Sequence, residues 1–122
     1  MKQVLLDTNF ILTCVNQKID FFEDLYFEGF HILIPKQVIR EIEGISKTKK
    51  FNERENAKLA LKLMKSNKFK KIDLKTKNVD NGIIKFVKAN SDIIIGTLDV
   101  GIKKKTKNSK LVIRGKKRLE VV

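Results

Sequence analysis

At 122 residues the chain has room for one substantial core and one functional site, and its hydrophobic fraction of 42% is that of an ordinary globular protein. No run approaches the roughly 18 unbroken apolar residues of a membrane span, which excludes an integral helical membrane protein. Lys and Arg number 27 against 14 acids, and the resulting net charge of +13 favours a polyanionic partner, nucleic acid first.

The chain opens on Met1-Lys2-Gln3-Val4-Leu5-Leu6-Asp7, whose acid stands where a secretion signal would continue its apolar segment, so a cytoplasmic protein is expected. Val4 to Leu6 read as a buried strand and Asp7-Thr8-Asn9 as a capped turn, after which Phe10, Ile11, Cys14 and Val15 recur at the spacing of a helix face. Cys14, the only cysteine, is expected as a small buried side chain without a chemical role. Residues 19–28 set Ile19, Phe22, Leu25 and Tyr26 on one helical face, and Gly29 ends that helix before a second strand, His31 to Ile34. His31 reads as structural. Pro35 suits the first turn of the next helix, where its missing N–H costs nothing. Val38, Ile39 and Ile42 face inward along it until Gly44 and the polar stretch 46–52 break the pattern. A further helix over 53–66 carries Ala57, Ala60, Leu61 and Met64, and Phe69 to Ile72 suggest an edge-like strand.

Val79-Asp80-Asn81-Gly82 reads as the cap of a helix bearing Ile83, Ile84, Phe86, Val87 and Ala89. Asp92 to Thr97 are strongly β-branched, a strand that ends at Leu98-Asp99. A short basic helix near 99–106, a strand Leu111 to Arg114 and a terminal strand over Leu119 to Val122 complete the alternation. Strands alternating with helices predict right-handed crossovers, hence one α/β domain over residues 1–122 with a parallel sheet sandwiched between helix layers.

In such a sheet the functional crevice lies beyond the carboxyl ends of the strands. Asp7 and Asp99 each follow an apolar strand, Asp80 opens a helix that must start on the same side, and Glu41 lies in the second turn of the helix after strand two. Each Asp taken singly serves as well as a helix N-cap, and Glu41 as part of a solvated face; it is their common edge that points to chemistry. Four converging carboxylates would raise one another's pKa unless a cation neutralised them. Oxygen-only donors suit Mg²⁺ or Mn²⁺ rather than zinc.

Asp7-Thr8-Asn9, Glu41 within Val38-Ile39-Arg40-Glu41, Asp80-Asn81-Gly82-Ile83-Ile84 and Thr97-Leu98-Asp99, taken in this order, resemble the PIN domain over essentially the whole chain. The resemblance implies a three-layer α/β/α sandwich with a parallel sheet of about five strands, and a metal-dependent ribonuclease in which Asp7, Glu41, Asp80 and Asp99 are metal ligands and catalytic residues, with Thr8, Asn9 and Thr97 shaping the pocket. The chain departs from many relatives at Asn81, where a second acid is common, and at Leu98, where Asn is common; both bear on a second metal ion. The basic ending Val112 to Glu120 is similar to small archaeal PIN proteins related to ribosomal-RNA processing nucleases. That likeness implies an rRNA precursor as substrate, with ribosome-assembly proteins as partners. Toxin relatives, which share the chemistry, imply an antitoxin instead, and many relatives form homodimers.

From Gly101 onward nine Lys or Arg stand against one acid, Glu120. Lys103, Lys104, Lys105, Arg114, Lys116, Lys117 and Arg118 are the candidate RNA contacts, holding phosphates without reading sequence. The eight Phe are expected mostly in the core, with Phe51 alone, in a polar loop, a candidate for base stacking. Two other classes of function fit part of the pattern. A PIN-like RNA-binding subunit would keep the fold without the reaction. A phosphoacceptor receiver domain shares the length and the acidic pocket, but it carries paired acids after strand one, where Asp7 stands alone.

Overall fold

The apolar run after Lys2 forms β1 (Gln3–Leu6), and the chain continues through α1 (Thr8–Asn16), α2 (Phe21–Phe27), β2 (His31–Pro35), α3 (Lys36–Ile45) and α4 (Phe51–Ser66). It then runs through β3 (Lys70–Ile72), α5 (Val79–Lys88), β4 (Ile94–Gly96), α6 (Val100–Lys105), β5 (Lys110–Arg114) and β6 (Arg118–Val121). This computed structural model describes residues 2–115 and 117–122.

The strands form one six-stranded sheet in the order β3-β2-β1-β4-β5-β6. All neighbours pair parallel except β5 and β6, which form an antiparallel hairpin, so the terminal strand expected over Leu119 to Val122 joins the sheet as its sixth and runs against the parallel direction expected. A parallel sixth strand would need a crossover of a dozen or more residues, and only the turn around Gly115 separates Arg114 from Arg118.

Period-two alternation divides the strand side chains between two cores. Val4, Leu6, Ile32, Ile34 and Ile94 pack with α1 to α4, while Leu5, Leu33 and Ile95 pack on the other face with Ile83 and Val87 of α5 and Ile102 of α6. Each such aliphatic chain taken fully out of water contributes about 1.5–3 kcal/mol. Helices therefore cover both faces, as the alternation of elements predicts.

Local boundaries shift for identifiable reasons. Pro35 ends β2, paired with Ile72, and keeps extended dihedrals, so it caps α3 rather than occupying its first turn. α4 starts at Phe51, two residues before the polar pattern suggests. β4 is shorter than the β-branched run: the Ile93 carbonyl, just before it, accepts from the buried Asn108 Nδ2 at 2.9 Å, which also lies within hydrogen-bond distance of the carbonyls of Val87, Asn90 and Ser91. In α2 the buried positions are Phe21, Phe22 and Leu25, which leaves Tyr26 39% exposed and Phe27 89% exposed, against the inward placement expected of both. Cys14 is fully buried, and burial, with the nearby Asp24 charge, pushes its thiol up to about 12. Among the described residues no helix is long and apolar enough to cross a membrane.

Candidate active site

β2 and β4 flank β1 on opposite sides, so the strand order reverses at β1, and the crevice beyond the carboxyl ends of β1 and β4 is the topological switch point. Asp7 stands at its floor. Its backbone N–H donates to the Gly96 carbonyl at 2.9 Å, which ties the end of β1 to the end of β4. Its side chain N-caps α1, with Oδ1 accepting from the Thr8 N–H at 2.8 Å, and Oδ2 accepts from the Thr97 hydroxyl at 2.9 Å. Only 6% of Asp7 is exposed. Burial raises its pKa; the Thr97 and Thr8 hydrogen bonds work against that, and the charges of Asp80 and Glu41 add to it.

Two threonines carry the connection outward. Thr97 Oγ1, while donating to Asp7, accepts from the Asp99 N–H at 3.1 Å, so a single buried hydroxyl sets the spacing of Asp7 and Asp99. Thr8 Oγ1 donates to Glu41 Oε1 at 2.6 Å, fixing the exposed Glu41 of α3 against the start of α1. Asp99 is also the N-cap of α6, where Oδ1 accepts from the Ile102 N–H. Asp80 is exposed in the first turn of α5, whose cap is Asn78 rather than Asp80, and it acts on Asp7 through charge. Asn9 is exposed and turns into a neighbouring cleft with Asn16 and Asn56.

Asp7, Glu41 and Asp99 are thus linked through Thr8 and Thr97, with Asp80 within electrostatic reach. Among the described residues, however, no three acidic, His or Cys side chains gather closely enough to form a closed cation cage. The donor set still fits a hard ion. Every candidate ligand is a carboxylate oxygen, and Mg²⁺ is commonly held by one or two carboxylates while it keeps several waters. The arrangement suits an open, partly hydrated ion.

The basic residues divide by height along the sheet. Lys103, Lys104 and Lys105 occupy the last turn of α6, at the end of the helix opposite its cap Asp99. Arg114, Lys117 and Arg118 belong to the β5–β6 hairpin, which extends three residues past the level of Gly96, about 10 Å on the crevice side. Arg114 pairs with Glu120 at 3.4 Å. Lys116 lies outside the described residues. Phe51 is 64% exposed, with the Arg54 guanidinium 5.2 Å from its ring centre.

Two cations escaped the sequence reading. Arg40 and Lys77 line a cleft of about 350 Å³ with Glu41 and Val79, directly beside the acids. Arg40 was visible as the neighbour of Glu41, but the loop 73–78 that brings Lys77 to α3 follows no periodic pattern. A larger cleft of about 730 Å³ lies at the opposite, amino-terminal edge of the sheet, around Gln3, His31 and Lys70, away from every acid discussed.

A family model described as a PIN like domain matches residues 4–118. Ribonuclease VapC4 of Methanocaldococcus jannaschii is 28% identical over 127 residues, spanning 99% of this chain and 97% of that protein. Among solved structures, the PIN domain endonuclease Utp24 superposes with a TM-score of 0.77 at 25% identity, over 98% of this chain and 92% of its own. VapBC2 from Rickettsia felis, bound to a DNA fragment from its promoter, gives a TM-score of 0.54 at 18% identity over 88% and 98%, a likeness of fold alone.

Proposed function

Because the chain belongs to the PIN-like domain family, we propose that it is a divalent-metal-dependent endoribonuclease whose acidic centre is Asp7, Glu41, Asp80 and Asp99. The observation that carries the reading is the Asp7 carboxylate at the switch point, held by Thr97 and Thr8, whose pKa is raised chiefly by burial and further by the charges of Asp80 and Glu41. Leaving an acid buried beside two others is unfavourable for the fold itself, and a cation relieves it. A bound Mg²⁺ or Mn²⁺ supplies an activated water and shields a phosphate oxygen.

The protein's own groups do the rest. Asp7 and Asp99, spaced by the Thr97 hydroxyl, would hold the ion, and Glu41, positioned by Thr8, and Asp80 would orient a water beside it. Arg40 and Lys77 flank the acids as phosphate contacts, and the hairpin cations hold the strand further out. The name of Ribonuclease VapC4 supports RNA as substrate.

For the role in the cell we favour processing of an rRNA precursor, on the basic ending that the hairpin projects on the crevice side. The rival is a toxin held by an antitoxin, which the likeness to VapC4 favours. Growth arrest on expression without a partner is the result expected of the toxin and contrary to the processing role.

The test is cleavage of single-stranded and structured RNA in Mn²⁺, in Mg²⁺ and in chelator, by the native protein and by Asp7→Asn. The native protein is expected to cut only with metal, and the variant to lose at least about 100-fold in rate. Equal RNA binding by both proteins with cleavage by neither sinks the enzymatic reading and leaves an RNA-binding subunit.

A further inference from the structure

Besides the cleft of Arg40 and Lys77, α1 and α4, with Ile45 at the end of α3, line a second cleft of about 580 Å³, within the range of ligand sites. Two of its lining residues are chain neighbours of the acidic centre: Asn9 follows Thr8, and Leu98 stands between Thr97 and Asp99. Its composition differs from the rest of the surface. In a chain of net charge +13, the only charged residue among the described ones lining it is Glu53, an acid. A phosphate is repelled there. The remainder is apolar (Leu12, Ile45, Leu98), carries a side-chain amide (Asn9, Asn16, Asn52, Asn56) or is the hydroxyl-bearing Thr13, a combination suited to the flat face and polar edge of a base.

Asn56 Nδ2 donates to Asn16 Oδ1 at 3.0 Å, joining α4 to α1 across the cleft. That bond uses one donor and one acceptor, and leaves Asn16 Nδ2 as a donor beside Asn56 Oδ1 as an acceptor. Adenine presents the complement, the N7 acceptor next to the N6 amino donor, and Asn is its usual partner. The Glu53 carboxylate favours an exocyclic amine, which adenine and cytosine carry, and disfavours the carbonyl that uracil or guanine offers at the same place; of the two amines, adenine brings the larger two-ring face to the apolar lining of Leu12, Ile45 and Leu98.

We propose that the cleft between α1 and α4 is a nucleobase subsite that holds an adenine of the RNA strand beside the acidic centre, with Asn16 and Asn56 as its specificity-determining residues. A strand crossing the switch point then has a base seated on the α1–α4 side and its phosphate on Arg40 and Lys77 on the α3–α5 side.

The inference rests on RNA being the substrate, so its readout is binding rather than cleavage. Fluorescently labelled pentaribonucleotides of A, C, G and U are titrated in chelator against the native protein, Asn16→Ala, Asn56→Ala and the volume-conserving Asn56→Leu, with thermal melts as the control for folding. The native protein is expected to bind oligo-A tighter than the other three by about 10-fold or more, and each variant to lose that preference while keeping its affinity for the others within about 3-fold. Equal affinity of the native protein for all four, preference for another base, or an adenine preference that survives all three substitutions overturns the subsite. Adenine-selective binding without metal-dependent cutting would sink the nuclease and keep the cleft; metal-dependent cutting without base selectivity does the reverse.

Discussion

Asp7 illustrates the opposition between a site and its fold at the level of one residue. A carboxyl whose folded pKa lies above its unfolded value binds its proton more tightly in the native state. Its contribution to stability is therefore full below the unfolded pKa and lost as pH rises through the folded one. Burial is the chief cause of that rise at Asp7, and Asp80 and Glu41 add to it. In metal-free solution Asp7→Asn should melt higher than the native protein at about pH 8, and its advantage should shrink as pH falls through the raised folded pKa towards the ordinary carboxylate value of about 4. The asparagine amide can keep both partners, since Oδ1 can still accept from the Thr8 N–H while Nδ2 donates to Thr97 Oγ1. Melting curves of the two proteins across that pH range check the claim; a variant that melts lower at about pH 8 contradicts it. Cys14 needs no such balance, because a thiol pushed up to about 12 inside the core stays neutral at every pH in question.

Between elements, the site depends on how closely β1 and β4 approach, and Gly96 decides that. A Cβ there would meet Leu6 Cδ2 at 2.8 Å and the Phe10 ring at 3.3 Å, both side chains fully buried. Gly96→Ala should therefore cost about 1–3 kcal/mol through overpacking. Because the Asp7 N–H is bound to the Gly96 carbonyl, metal-stimulated cleavage should fall together with the melting temperature. An unchanged melt would show that the sheet absorbs the methyl. This coupling marks the limit of what the sequence disclosed. Val4 to Leu6 and Ile94 to Gly96 are legible as strands because apolar residues run unbroken there, and Asp7 and Asp99 as their terminal acids because each also serves as an N-cap. The threonine bridges are one step less legible: Thr97 belongs to a recognisable motif, but its contact with Asp7 spans 90 residues and no periodicity encodes it. Asn108, which reaches four carbonyls from a loop, Lys77 on an irregular segment and the amide pair Asn16–Asn56 leave no pattern, since each depends on tertiary placement alone.

Across the whole molecule, the charge of +13 is distributed so that only part of it faces the crevice. The α6 lysines lie at the far end of the helix from Asp99 and Arg114 is paired with Glu120, which leaves Lys117 and Arg118 as the cations at the crevice end of the hairpin without an ion pair among the described residues. Lys117 adopts a left-handed backbone, φ 62°, a conformation that favours glycine, so a lysine there carries a local cost. Lys117→Gly should accordingly leave the melting temperature unchanged or raise it while weakening RNA binding, and Arg118→Gln should weaken binding to a similar degree. Each phosphate contact on a single strand contributes roughly −0.7 to the slope of log affinity against log salt, so the double variant should flatten that slope by about 1.4. The same titration with Lys104→Gln and Lys105→Gln should change the slope by much less if the strand follows the hairpin rather than α6. A larger flattening from the α6 pair than from the hairpin pair would move the RNA path to the other end of the helix and away from the acids.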